Sequence, residues 1–151
     1  MTDCERYVFD RTSRPTLPVV GLTALFPVRR VYCVGRNYAL HAREMGGDPD
    51  REAPFFFSKP ADAIMPRGGD MPYPASTSEL HHEVELVLAL GAGGANLGPE
   101  RCRALIFGYA VGVDLTRRDL QRAAKADGRP WDMAKGFDRS APCSPVARAA
   151  D

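Results

Sequence analysis

Apolar and polar residues alternate most strictly from Glu83 to Leu90, where Val84, Leu86 and Leu88 interleave with Glu83, Glu85 and Val87. A period of two is the mark of a strand, because successive side chains leave opposite faces. Gly91-Ala92-Gly93-Gly94 ends it. A second apolar run, Phe107 to Asp114, predicts another strand. Shorter strands are expected at Val31 to Val34, before Gly35, and at Pro54 to Pro60, where an aromatic run bounded by prolines reads as buried. Thr16 to Val20 and Phe26 to Arg30 fit either short strands or an extended arm. Helical signals are fewer. Asn37 has the chemistry of an N-cap for a helix from Tyr38 to Met45, which Gly46-Gly47-Asp48-Pro49 would end. Pro99 to Ile106 reads as a short helix, and Thr116 to Ala126 as another with Asp119 in its first turns, broken by Gly128-Arg129-Pro130. Residues 66–79 and the Pro-rich segment Ala141 to Pro145 are expected to be loop and turn.

Length and charge then remove whole classes of function. At 151 residues the chain is one domain by length. Its 20 basic and 19 acidic residues give a net charge of +1, which offers no basic field to nucleic acid. No run of about 18 apolar residues is present to span a membrane. Met1-Thr2-Asp3-Cys4-Glu5-Arg6 has no apolar signal core. Cys4, Cys33, Cys102 and Cys143 form no C-x-x-C pair and fit no zinc spacing, so free thiols in a reducing cytoplasm are expected. Among the basic residues only Lys59, Lys125 and Lys135 are lysines, which singles out each of them.

Candidate chemistry begins with carboxylates. Glu83 and Glu85 share one strand face. Two neighbouring acids repel, and burial raises their pKa values unless a cation neutralises them. Asp114, ending the next strand, offers a third oxygen. Oxygen donors without Cys favour Mg²⁺, Mn²⁺ or Ca²⁺ over Zn²⁺. A solvated strand face is the plain alternative. His81 falls on the same face, and His82 on the other. His41 and Glu44 are three apart on the expected helix, so they are neighbours. A carboxylate beside an imidazole raises its basicity and equips it to deprotonate water; a surface helix pair is the alternative. Arg118 and Gln121 are also three apart and could bind a carboxylate and an oxyanion, or form a solvated basic helix. Lys135, beside Gly136 in an apolar setting, could polarise a carbonyl or sit on the surface.

Five strings change the picture when taken together: VYCVGRNYALHAREMG, PFFFSKPADAI, ELHHEVELVLALG, FGYAVGVDLTRRDLQ and GRPWDMAKGFDRSAP. In this order and spacing they resemble the fumarylacetoacetate hydrolase family from about Val28 to Pro145. FPVRRVYCVGRNY, DPDREAPFFFSKPADA, and DLTRRDLQ followed by GRPW resemble its branch that cleaves 3-fumarylpyruvate in gentisate breakdown. The resemblance implies an α+β fold, a mixed β-roll of the family's C-terminal-domain type. It implies an N-terminal arm over residues 1–27 and the first part of the catalytic domain over residues 28–151. It implies Mg²⁺, with Mn²⁺ or Ca²⁺ possible, held by Glu83, Glu85 and Asp114. It implies a His41–Glu44 dyad on a lid helix. Lys135 and Gln121 would serve the oxyanion, Arg118 would orient substrate, and Arg36 lies near the same site. The substrate would be a small dioxo acid, with other acylpyruvates or oxaloacetate as alternatives, and the full-length form would be a homodimer. The family's roll continues into a Thr-Gly-Thr-Pro loop that this sequence does not hold. An incomplete roll is therefore expected, with residues 1–151 alone prone to aggregate and inactive, or a non-catalytic fragment.

Overall fold

The computed structural model describes residues 7–9, 13–35, 37, 54–66 and 69–149. The expected helix from Tyr38 to Met45 lies outside them, and with it Arg36, His41 and Glu44.

A long antiparallel hairpin dominates the fold. Strand β6 (Leu80–Leu90) pairs with β7 (Ile106–Arg117) along its whole length, with Glu83 opposite Asp114 and Glu85 opposite Gly112. Between them lies the short helix α1 (Pro99–Arg103), whose Pro99 sits at a first-turn position where its missing N–H costs nothing. The helix expected to reach Ile106 stops at Arg103, and Ile106 already belongs to β7.

The preceding strands are short. β1 (Thr16–Pro18) and β2 (Leu25–Pro27) form one antiparallel pair, and β3 (Val31–Gly35) and β4 (Phe55–Lys59) another. β4 is not the buried strand its aromatic run predicts. Phe56 is 63% exposed, and the buried residue is Lys59 at 3%. After a 3₁₀ turn at Ala61–Ala63, β5 (Ile64–Pro66) joins the main sheet by pairing in parallel with β8 (Ala141–Cys143). β9 (Ala147–Arg148) pairs with β7. The main sheet is thus mixed, in the order β5-β8-β7-β6.

Two expectations are corrected at its far end. The Pro-rich segment Ala141 to Pro145 contains β8, because long-range pairing to β5 and β7 supplies backbone partners that no local pattern announces. β7 runs on through Thr116 and Arg117, so the helix starts at Arg118, as α2 (Arg118–Ala126). A four-residue helix, α3 (Asp132–Lys135), follows.

The core gathers Leu17, Val28, Ala89, Ala110, Cys143 and Val146, with Phe26, Ile64, Val87 and Phe107 packed against it. Leu17 and Phe26 come from β1 and β2, so the first hairpin packs onto the core of the main sheet. The β6 face directed to this side carries Glu83, Glu85, Val87 and Ala89. The opposite face shows Val84, Leu86, Leu88 and Leu90 to solvent. The carboxylates therefore point inward and the aliphatic row outward. Cys33, Cys102 and Cys143 are free thiols. No described helix is long and apolar enough to cross a membrane.

Candidate active site

The register of the hairpin sets the site. Because Glu83 and Asp114 are direct partners across β6 and β7, their side chains leave the same face side by side. α3 delivers Lys135 between them. Its side chain is 2% exposed, so it is no surface lysine. Lys135 Nζ donates to Asp114 Oδ2 at 2.6 Å, Glu83 Oε2 at 2.7 Å and Thr116 Oγ1 at 2.7 Å. An ammonium has three N–H donors, and these are three acceptors.

A second lysine closes the cluster from β4. Lys59 Nζ lies 2.8 Å from Asp114 Oδ1 and donates to the carbonyls of Leu115, at 3.1 Å, and Lys135. Burial pushes the Lys59 ammonium below its ordinary pKa, and Asp114 opposes that shift. Burial pushes the Glu83 carboxyl up, but the Lys135 hydrogen bond and charge, with Arg118, outweigh it and hold Glu83 below the ordinary range. Arg118, opening α2, reaches Glu83 Oε1 at 2.5 Å and Gln121 Oε1 at 2.5 Å. Arg118 Nε also lies 3.4 Å from His81 Nδ1.

The structure thus brings together Glu83, Asp114, Lys135, Arg118 and Gln121. Glu85 is the next residue on the same β6 face. Arg36, His41 and Glu44 lie outside the described residues. Sequence reasoning left out Lys59 and Thr116. The rarity of lysine was a signal for Lys59; nothing in the local pattern marked Thr116.

A hard divalent cation fits the donor chemistry here. The donors are carboxylate oxygens, and the buried Asp114 Oδ1 is met by the Lys59 ammonium at 2.8 Å. Among the described residues, no three His, Cys, Asp or Glu side chains converge on one point as they stand. The two that do, Glu83 and Asp114, converge on the Lys135 ammonium.

Beside Lys135 opens a cavity of about 470 Å³, lined by Phe55, Phe57, Arg129, Pro130 and Trp131 among others. Trp131 meets Phe55 edge-on at 5.3 Å and Phe57 at 5.8 Å, making an aromatic wall. A larger cavity of about 680 Å³, around Tyr73, Arg117 and Met133, is not lined by Lys135; neither cavity is lined by Glu83 or Asp114. The smaller one is the better substrate site, because Lys135 of the ion cluster lines it.

Residues 30–151 match the family model described as fumarylacetoacetate (FAA) hydrolase C-terminal. The chain belongs to the fumarylacetoacetate hydrolase family. A crystal structure of fumarylpyruvate hydrolase from Pseudomonas aeruginosa, in complex with Mn²⁺ and pyruvate, superposes with a TM-score of 0.92 at 50% identity. The match covers 97% of this chain and 64% of that one. A mitochondrial oxaloacetate tautomerase of Arabidopsis thaliana is 44% identical over 117 residues, covering 78% of this chain and 52% of the relative. A fumarylpyruvate hydrolase of Ralstonia sp is 41% identical over 99 residues, covering 66% of this chain and 52% of the relative. The chain spans about half the length of these curated relatives. The family's mixed sheet with few helices is the fold seen here.

Proposed function

We propose that this chain serves metal-dependent hydrolysis of a carbon–carbon bond in a 2,4-dioxo acid, with 3-fumarylpyruvate split by water into fumarate and pyruvate. The observation that carries this reading is the facing pair of half-buried Glu83 and buried Asp114, which share Lys135 while Asp114 also meets Lys59, beside an aromatic cavity that Lys135 lines. Glu83, Glu85 and Asp114 would hold a divalent ion, Mg²⁺ or Mn²⁺ by donor chemistry. That ion supplies positive charge to the oxygens of the 2-oxo acid end. His41, paired with Glu44, removes a proton from water, whose oxygen then attacks the distal carbonyl carbon. Gln121 and Lys135 donate to the oxyanion that develops. The carbon–carbon bond breaks, and its electron pair departs with pyruvate as the enolate, which takes up a proton. Arg118 and Arg36 hold the substrate carboxylates.

Oxaloacetate is the second candidate substrate, favoured by the identity to an oxaloacetate tautomerase. It shares the 2-oxo acid end, so the same carboxylates serve both. A substrate panel with Mg²⁺ or Mn²⁺ decides between them. It should be run on residues 1–151 and on a version carrying the remaining segment of the Pseudomonas relative. Pyruvate and fumarate released from fumarylpyruvate support the first reading. Turnover of oxaloacetate with no acylpyruvate cleaved would replace it with the second. In the active form, Glu83→Gln should abolish metal-dependent turnover. His41→Ala should lower kcat by about 10²–10⁴-fold with KM little changed. A raised KM at unaltered kcat would instead assign His41 to substrate binding.

A further inference from the structure

The Lys135 ammonium has no N–H left for a substrate. Its three donors are engaged by Asp114, Glu83 and Thr116, at 2.6–2.7 Å. Yet the proposed reaction asks Lys135 to donate to an oxyanion. The same two carboxylates are also asked to bind a metal. We propose that these demands have one solution: the Lys135 ammonium and a divalent ion compete for Asp114 Oδ2 and Glu83 Oε2, so that metal binding releases Lys135 to face the substrate. This inference rests on the metal-site reading above and adds an ordered exchange to it.

A held backbone confines the exchange at Lys135 to its side chain. Its carbonyl accepts from Lys59 Nζ and from Ser140 Oγ, the latter at 3.1 Å, so the backbone is pinned. The stem is buried but flexible, so the exchange moves the ammonium toward the cavity while the backbone stays in place. The destination is on hand as well. Lys135 lines the cavity beside Phe57 and Trp131, and its ammonium already lies 5.1 Å from the Phe57 ring, within cation–π range. Asp114 is not left bare by the exchange, because Lys59 stays on Oδ1. Lys59 is the fixed cation and Lys135 the displaceable one: Lys59 also donates to two backbone carbonyls, whereas among the described residues the three acceptors of Lys135 are side chains. A doubly charged ion attracts the two carboxylates more strongly than the single charge of the Lys135 ammonium does.

Mn²⁺ binding tests the exchange by equilibrium dialysis, which reads bound metal whatever the size of the protein species. Lys135→Met keeps the stem and removes the competing charge. It should bind Mn²⁺ about tenfold more tightly than wild type, since contacting groups couple on that scale. It should also melt lower without metal and gain more from adding it. Lys125→Met, on exposed α2, should bind as wild type does. Equal or weaker binding by Lys135→Met, with wild type binding, overturns the exchange and leaves the metal site standing. No binding by wild type overturns both. Should Lys135→Met not fold, reductive methylation of wild type gives the answer. Mn²⁺ should raise the methylation of Lys135 relative to Lys125, and an unchanged or lower ratio overturns the exchange.

Discussion

Lys59 is a charged residue in the place of a core residue, and its partners explain why it is tolerated. It neutralises Asp114 and satisfies two buried carbonyls at once. Lys59→Met would take the cation from Asp114 Oδ1 and a donor from each carbonyl, leaving Asp114 with Lys135 and the Lys135 carbonyl with Ser140 Oγ. Breaking one side of a buried pair costs about 3–5 kcal/mol, a large fraction of the about 5–15 kcal/mol that holds a typical domain. Chemical denaturation checks this; a midpoint like that of wild type would mean Asp114 finds another cation. Cys33 reads the same environment. Burial, with Asp114 adding to it, raises its thiol from 9.0 to about 11. A group raised on folding favours the folded state below its unfolded pKa, and that contribution is lost as pH rises from 9.0 through about 11. At pH 8–9 iodoacetamide should therefore modify exposed Cys102 well before Cys33, as read by mass spectrometry.

At the scale of elements, α2 is tied to the chain entering β6. No side chain caps it at Arg117. Instead Asp119, in the first turn, accepts from Thr77 Oγ1 at 2.6 Å and from the Ser78 N–H at 2.9 Å. The Thr77 hydroxyl, then Ser78, hold Asp119 down from 3.8 to about 2. A depressed carboxyl stabilises the fold above its unfolded pKa, and that contribution fades between pH 3.8 and about 2. Asp119→Asn should flatten the fall in melting temperature over that window; an unchanged acid profile would show that the tether is not what titrates. This tether matters to the site because α2 presents Arg118 and Gln121. Elsewhere, β7 passes so close to β9 that a side chain does not fit at Gly108. A Cβ there would strike the Ala147 carbonyl oxygen and come within 2.8 Å of Val146 Cγ1. Gly108→Ala should cost about 1–3 kcal/mol by overpacking and free β9, seen as faster amide exchange at Ala147 to Ala149. Unchanged exchange there would show that the strands part without cost.

At the scale of the molecule, one face of the main sheet is exposed among the described residues. Val84, Leu86, Leu88 and Leu90 of β6 stand beside Tyr109 and Val111 of β7, all at least 40% exposed. Contiguous apolar surface of this kind drives association, at about 25 cal/mol for each Å² removed from water. Residues 1–151 should therefore sediment as more than a monomer, and Leu86→Lys with Leu88→Lys should shift them toward monomer. A wild-type chain that stays monomeric at high concentration would show that this face is content in water.

The sequence by itself determined the alternation of β6, the strand before Gly35, the helix before Gly128 and the family, because these rest on local period, turn chemistry and motif order. It also placed Glu83 and Glu85 on one face. Tertiary structure alone decided which face turned inward. Period two describes two faces, and the aliphatic one is the natural choice for a core. Here lysines from β4 and α3, distant in sequence, make the acidic face the buried one. The same long-range logic hid β8 among its prolines and extended β7 past Thr116, where pairing and the Lys135 bond hold what local preference assigns to a helix. It gave Lys59 its role too, since a lysine ending an aromatic strand becomes part of the site only when Asp114 is folded against it.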